Sequence, residues 1–467
     1  MTAPAIPTET PARDAPRIYR PVLRAMGQTG AAALASGLLS ALATKIIAAV
    51  GGPSALATLA TLQQLRQAAV VAATGNGQTA LMRGASALRG REQAEYVRTV
   101  AGLFAASTAL AAGAMVLWPQ ALAALAGFGP AASRLLPWLA IPMALTSTLV
   151  FASALLNALG AIGRLAILSL IAPAAMAVGA WPAAQAFAAG KPRALLALLI
   201  FAAALSGAAA LLALLGLRSQ FEAWLRGPGK WWSGPAAGRA CRMSAALLAS
   251  GLAASGALLA VRGHITATQG LTVTGQFDAA WGLSMNQVTL VLSSLQTYYL
   301  PAVARSRHPA ERDGHISSVL CVAALAAAGA IAGIAMLKPW LLKTFYSAAF
   351  APAAAYLRWT LLGDYLKVTS WILSIPILAA GDMKMFLAAD LAAYGVFVAV
   401  STGLASALAA ASGAAIGFVA MYATHLILCA IYLRRKLRVA PARGAVAAWL
   451  LGLAVVTAVS ALNWGEA

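Results

Sequence analysis

The sequence is short of charge. Asp, Glu, Lys and Arg make up only 10% of its 467 residues, while hydrophobic residues make up 61%. Soluble domains carry about 25% charged and about 45–50% apolar residues. A water-soluble fold of this composition could not cover its apolar surface, because even large domains leave about a quarter of it exposed. A soluble enzyme and a fibrous protein are therefore excluded. Cysteine is scarce as well. Cys241, Cys321 and Cys429 lie in or beside apolar stretches, with no CxxC and no even set, which excludes a disulfide scaffold and gives them no metal role. Acid is scarcer than base, at 12 Asp+Glu against 33 Lys+Arg, a net charge of +21. In a soluble chain this would point to nucleic acid; in a membrane chain, basic loops that fix orientation account for it, and no nucleic acid partner is expected. GxxxxGKS, GxSxG and HExxH are absent. The four histidines (His264, His308, His315, His425) are scattered and the longest loop has 26 residues. These absences exclude ATP-driven transport within this chain and argue against catalysis in a large extramembrane domain; no cofactor and no metal are expected.

What is abundant is apolar helix, at a mean hydropathy of +0.81. A span needs about 20 apolar residues. Thirteen stretches qualify: 27–50, 54–74, 97–117, 135–158, 165–185, 194–216, 243–262, 276–299, 316–336, 354–379, 385–404, 413–433 and 445–462. The fold class is all-α and polytopic. With the N-terminus in the cytoplasm, 23 basic residues fall on the cytoplasmic side, 6 on the other and 4 inside spans, a strong positive-inside bias. Loops 217–242 and 302–315 are then cytoplasmic, and 118–134 and 337–353 periplasmic. Residues 1–21 hold five prolines (Pro4, Pro7, Pro11, Pro16, Pro21) and are not a signal peptide. The domains read as a disordered cytoplasmic tail (1–24), an N-lobe of six spans (25–216), a cytoplasmic linker (217–242), a C-lobe of six spans (243–433), and a basic loop with a thirteenth span (434–467).

An internal repeat supports the two lobes. LATKIIAAVGGPSALATLATLQQL around Lys45 and LAVRGHITATQGLTVTGQFDAAWGLSM around Arg262 each run from a basic residue to a Gly seven or eight positions on, a short turn and an unusually polar helix. Six spans separate the copies. An even number keeps the orientation, so the lobes are parallel repeats about an axis along the membrane normal.

Polar residues inside spans are costly and mark cavities or protein contacts. Span two carries Gln63, Gln64, Arg66 and Gln67, and spacings of three and four put Gln63, Arg66 and Gln67 on one face. Lys45, Arg66 and Arg262 are cations on helices one, two and seven, against the alternatives of snorkelling anchors for Lys45 and Arg262 and a structural polar network for Arg66. As a cavity-lining set they suit an anionic substrate, since Arg and Lys bind phosphate through charge-assisted hydrogen bonds. Asp278 opens span eight and is the candidate for proton or cation coupling, a plain interfacial Asp being the alternative. Asp364 and Lys367 are expected to form an intrahelical ion pair, and Asp390 to lie near the cytoplasmic interface. Gly75-Asn76-Gly77 is a turn, not a nucleotide loop.

Several stretches resemble lipid-linked oligosaccharide flippases of the O-antigen and enterobacterial-common-antigen type, in the multidrug/oligosaccharidyl-lipid/polysaccharide exporter superfamily. They are Lys45-Ile-Ile-Ala-Ala-Val-Gly-Gly-Pro-Ser, Leu62-Gln-Gln-Leu-Arg-Gln and Thr74-Gly-Asn-Gly, then Val261-Arg-Gly, Trp281 through Leu295, Thr297-Tyr-Tyr-Leu-Pro301, and Trp359-Thr-Leu-Leu-Gly-Asp-Tyr-Leu-Lys367. The resemblance covers about residues 25–435 and implies two pseudo-symmetric six-helix lobes around a central cavity lined by helices one, two, seven and eight. It implies alternating access in a bacterial inner membrane, with no enzymatic step. It also implies an undecaprenyl-pyrophosphate-linked glycan as substrate, with membrane lipid, a polysaccharide polymerase and a chain-length regulator as partners. On it, Lys45, Arg66, Arg262, Gln63 and Gln67 bind substrate. This chain departs from the family's usual twelve spans by its thirteenth and by its Pro-rich tail. The alternative is a cation-coupled drug or metabolite extruder of the same superfamily; a membrane-embedded glycan polymerase or ligase would need a large outer loop that is absent.

Overall fold

The computed structural model describes residues 15–125, 133–216, 219, 222, 224, 226, 229–306, 308–404 and 407–462. Residues 1–14 of the expected tail and parts of the 217–242 linker lie outside the described residues. The described chain is all helix, with no strand.

The first helix, α1 (Ala15–Thr74), has 60 residues. Straight, it would reach about 90 Å at about 1.5 Å per residue, three times the thickness of a bilayer core. It is broken at Gly52, whose φ of 71° and ψ of −171° suit a residue without Cβ. Pro53 follows, at a place where a helix start has no use for the missing N–H. One helix thus becomes two spanning limbs. It also begins at Ala15, inside the stretch read as tail. Then come α2 (Gln78–Ala87), α3 (Gly90–Leu117), α4 (Pro119–Leu125), a 3-10 turn at Leu136–Leu139, α5 (Ala140–Ala158), α6 (Ile162–Ala188) and α7 (Arg193–Leu215). Gly75 and Asn76 both have positive φ, forming the expected turn before α2. The N-lobe core joins Ile47, Leu59, Leu62, Leu139, Met143 and Leu199.

The second lobe repeats the plan. Its first helix, α8 (Gly234–Arg305), has 72 residues and breaks at Gly270, with φ 83° and ψ 172°. It continues with α9 (Pro309–Phe345), α10 (Ala353–Ala379), α11 (Met383–Gly403) and α12 (Ala410–Tyr432). Helix α9 runs on to Phe345, into the expected 337–353 loop. Ile265, Phe277, Phe350, Tyr365, Phe397 and Phe418 are the heart of this core. The last helix, α13 (Arg443–Ala461), packs on α9 and α10. Its Trp449 is gripped twice: Tyr365 Oη donates to Trp449 O at 2.7 Å, and Trp449 Nε1 donates to Thr369 Oγ1 at 2.9 Å.

Eleven helices are long and apolar enough to cross a membrane, among the described residues. The breaks at Gly52 and Gly270 divide two of them, so thirteen limbs result: six per lobe and α13. Leu38, Leu110, Ile167 and Leu212 stand out from the surface, each at least 65% exposed. In water such a girdle would drive aggregation; around spanning helices it faces lipid. The protein is a multi-pass membrane protein of two pseudo-symmetric six-helix lobes around a central cavity, with an added C-terminal helix.

Candidate functional site

The second limb of α1 meets α8 where the two repeats face each other, touching its second limb at one end and its first limb at the other. At the end near the two glycine breaks, Ser54 and Thr272 hydroxyls lie 3.2 Å apart. There Gly275 sits so tightly on Pro53 that a Cβ would lie 1.9 Å from the Pro53 carbonyl oxygen. The same end is bridged by Lys45, whose Nζ donates to Lys343 O at 2.9 Å and Tyr346 O at 2.6 Å, at the C-terminus of α9. A cation there meets carbonyls with no intrahelical partner and the negative end of the helix dipole. At the opposite end, Asn76 Nδ2 donates to Leu247 O at 2.9 Å, and a Cβ on Gly251 would lie 3.1 Å from Val71. The lobes therefore touch at both ends of this seam.

Between those ends the two lobes also share apolar packing: Leu259 of α8 is buried in the N-lobe core with Leu59 and Leu62, and Leu56 of α1 in the C-lobe core with Val261 and Ile265. Pro53 and Val71 touch the C-lobe, and Ala60, Gln64 and Gln67 share their helical face through spacings of seven, four, three and four. Gln67 is exposed, and Gln63 and Gln64 are half-buried. A polar side chain in a spanning limb is costly against lipid, which favours a water-filled or protein-lined setting for Gln67. Arg66 lies one step round the helix, among Leu59, Leu62 and Val70 on the face that packs into the N-lobe. It is half-buried and its Nε is cut off from solvent without a hydrogen-bond partner. No ion pair to Arg66 occurs among the described residues. An unpaired guanidinium inside a lobe is an expensive group, and an anion is its natural complement.

Arg262 and Asp278 come together, although the sequence reading put them in separate roles. They stand eight residues either side of Gly270, so the hairpin sets them opposite each other. Arg262 Nε lies 2.7 Å from Asp278 Oδ1, with side chains 7% and 2% exposed. In this conformation the cation assigned to substrate and the acid assigned to coupling neutralise each other. Lys45 is likewise engaged by the α9 carbonyls. Of the three cations, Arg66 alone is without a partner among the described residues.

The C-lobe interior holds a second polar group that sequence reasoning did not assemble. The expected Asp364–Lys367 ion pair is not formed. Instead Ser284 Oγ donates to Asp364 Oδ2 at 2.5 Å, while Lys367 Nζ turns to Met285 Sδ at 3.0 Å and lies 5.7 Å over the Tyr422 ring. An i,i+3 pair is possible on a free helix, but α8 packs against this face of α10 and offers both side chains other partners. Asp390 is engaged inside the bundle: it accepts from Ser250 Oγ and lies 3.3 Å from His425 Nε2. The side chains of Asp390 and His425 are 13% and 9% exposed. Spans seven, eight and ten to twelve thus contribute polar side chains to the C-lobe interior. The available signal was an ionisable residue in each of three consecutive spans, at Asp364, Asp390 and His425. The side chains of Asn286, Gln287, Gln296 and Tyr298 lie outside the described residues; Tyr299 Oη donates to Ile372 O at 3.1 Å.

Comparison with known proteins locates this geometry. No protein-family model and no curated protein sequence matches the chain. Solved structures do. A structure titled lipid II flippase MurJ in an inward closed conformation aligns with a TM-score of 0.69 at 12% identity, covering 93% of this chain and 98% of that one. An inward-facing multidrug resistance MATE family transporter of the MOP superfamily aligns at 0.64 and 15%, covering 91% and 96%. A eukaryotic MATE transporter aligns at 0.61 and 13%, covering 92% and 98%. At these identities the likeness is one of fold, over nearly the whole of each chain. The chain shares the fold of these solved flippase and transporter structures.

Proposed function

We propose that the chain is a flippase carrying undecaprenyl-pyrophosphate-linked oligosaccharide repeat units from the cytoplasmic to the periplasmic leaflet of a bacterial inner membrane, by alternating access, for surface polysaccharide. The observation that supports this reading is Arg66: a cation with no ion pair among the described residues, on the same limb as the amides of Gln63 and Gln67. A diphosphate supplies the missing charge, and Arg can grip two of its oxygens at once. Lys45 is the second cation. It is held by the α9 carbonyls while the outer seam is shut, and separation of the lobes would free it for the cargo. Arg262 is the C-lobe partner. Uptake of a proton by Asp278 would break their ion pair and release the guanidinium, so one acid would couple proton entry to cargo binding. The N-terminus is cytoplasmic in this reading, as the basic loops require.

The test is complementation of a flippase-null strain, with protein levels checked by immunoblot. Arg66→Ala abolishes surface glycan at normal expression, and Arg66→Lys, which keeps the charge but loses the fork, is milder. Full complementation by both Arg66→Ala and Arg262→Ala would move the anion site elsewhere. A second reading, cation-coupled extrusion of a drug or metabolite, draws on the C-lobe cluster of Asp364, Asp390 and His425, because acids in an apolar interior can take up protons. Drug resistance conferred by the wild type, with no rescue of glycan, would favour it.

A further inference from the structure

A slot away from the central cavity has no role in transport as described above. It has a volume of about 170 Å³. Its walls are Leu320 of α9, Leu373 of α10, Leu426 of α12, Val439, and Val446 of α13, with Arg434 at its edge. None of its lining comes from α1 or α8, the helices of the seam between the lobes. The two other polar residues in it, Thr369 and Trp449, satisfy each other, and Thr369 also donates to Tyr365 O at 3.1 Å. Waters here would lack the two to four polar partners each one needs, and apolar cavities stay dry. The space fits about five or six groups of water or methylene size.

The rim of the slot is the opposite of its walls. A π-helical turn at Leu433–Leu437 is followed by Arg438 in the left-handed region at φ 54°. This reverses the chain and buries Val439. The returning strand of backbone is pinned on α9, where Ala440 N donates to Asp313 Oδ1 at 3.1 Å and Ala442 N to Ser317 Oγ at 2.8 Å. Arg434, Arg435, Lys436, Arg438 and Arg443 all remain exposed, and none makes an ion pair among the described residues. No acid occurs in the sequence between Asp390 and Glu466. Five exposed cations, of which Lys436 is within electrostatic reach of Asp382, are thus held by a built turn at the mouth of a greasy slot, at the end of a spanning helix.

We propose that this slot is a binding site for an anionic phospholipid of the surrounding leaflet, a stretch of about five or six acyl carbons lying between α12 and α13 and the phosphate meeting Arg434 and its basic neighbours. Charge complementarity selects the headgroup. Separation from the seam makes the occupant a bound lipid and not the transported cargo. The added helix α13 then has a purpose: it closes one wall of the slot.

The experiment is native mass spectrometry of the full-length protein in detergent, titrated with dioleoyl phosphatidylglycerol or dioleoyl phosphatidylcholine. Phosphatidylglycerol is retained and phosphatidylcholine is not. Arg434→Gln, an exposed change that leaves the fold intact, weakens retention about fivefold, the value of about one basic contact at a lipid surface. Val446→Phe, which fills the slot, removes retention while the gel-filtration profile is unchanged. Arg193→Gln, an exposed basic residue elsewhere, has no effect. Equal retention of the two lipids, or retention indifferent to Arg434→Gln, would overturn the proposal. So would displacement of phosphatidylglycerol from the wild type by an equimolar polyprenyl phosphate, which would make the slot a cargo site.

Discussion

Gly275→Ala should open the end of the seam near the two glycine breaks. Gly275 is helical, so the substitution by itself favours the helix by about 1 kcal/mol in every conformation. Any loss of closure must then come from contact. A Cβ at this position would lie 1.9 Å from Pro53 O and 2.5 Å from Pro53 C, and both are backbone atoms that no rotamer change can remove. Restoring ordinary contact requires the limbs to part by roughly 1.5 Å, and overpacking of this kind costs about 1–3 kcal/mol. The Ser54–Thr272 contact, now 3.2 Å, would pass beyond hydrogen-bond range. Because the penalty exists only when the seam is shut, the closed population should fall about 5- to 150-fold relative to the open one. The assay uses a protein without native cysteines carrying Ser54→Cys and Thr272→Cys. In that background a short bifunctional thiol reagent cross-links the two limbs, and Gly275→Ala lowers the yield and raises labelling of position 54 by an impermeant maleimide. Unchanged yield and unchanged labelling would refute the argument that this contact is the seal.

Three further outcomes follow from the same geometry. Arg262→Met strands a buried carboxylate and should cost about 3–5 kcal/mol, whereas Arg262→Met with Asp278→Leu should be close to neutral; equal losses of melting temperature in detergent would mean the pair is not the clip of the α8 hairpin. Lys45→Met removes a cation from the C-terminal carbonyls of α9 and should raise maleimide labelling of position 54 in the same cysteine background, a readout that a passive lipid anchor would not move. Asp382, between α10 and α11, accepts from Tyr432 Oη at 2.6 Å and Met385 N at 3.1 Å. The tyrosine contact first, and the N–H second, hold its carboxyl below the ordinary range. A lowered folded value means its stabilisation is present above the unfolded pKa of about 3.9 and is lost as pH falls through the folded one. Melting temperature should therefore drop on acidification below about pH 4, and Asp382→Asn should flatten that drop; an identical slope in both proteins would remove Asp382 from the account.

The fold was legible because its signals are long and redundant. Thirteen apolar stretches, a one-sided distribution of Lys and Arg, and two copies of a cation–glycine–polar-helix pattern all gave the same plan. The breaks at Gly52 and Gly270 fell in the expected turns. The site was legible only in part. Sequence spacing put Gln63, Arg66 and Gln67 on one side of a limb, whereas Arg66 turns toward Leu62 and Val70 of the N-lobe core, one step round the helix from Gln67, and makes no ion pair among the described residues. It could not tell that Arg262 would meet Asp278, because that contact depends on where the α8 hairpin turns. Nor could it tell that Lys45 would reach across to α9, whose helix continues through what the hydropathy pattern marks as a loop. Asp364 and Lys367 were misread for a related reason: spacing along one helix says nothing of the partners that Ser284 and Met285 bring from another.

The central claim is that Arg66 receives a pyrophosphate. The direct measurement is binding of a short-chain polyprenyl pyrophosphate disaccharide to the protein in nanodiscs, beside the same disaccharide on an uncharged polyprenol. The wild type should bind the pyrophosphate lipid and prefer it to the neutral one. Arg66→Gln should weaken the first by roughly 10- to 150-fold, the value of a charged hydrogen bond of about 1.5–3 kcal/mol, and leave the second unchanged, with Arg66→Lys in between. Equal binding of the two lipids by the wild type, or pyrophosphate binding that survives Arg66→Gln intact, would contradict the account.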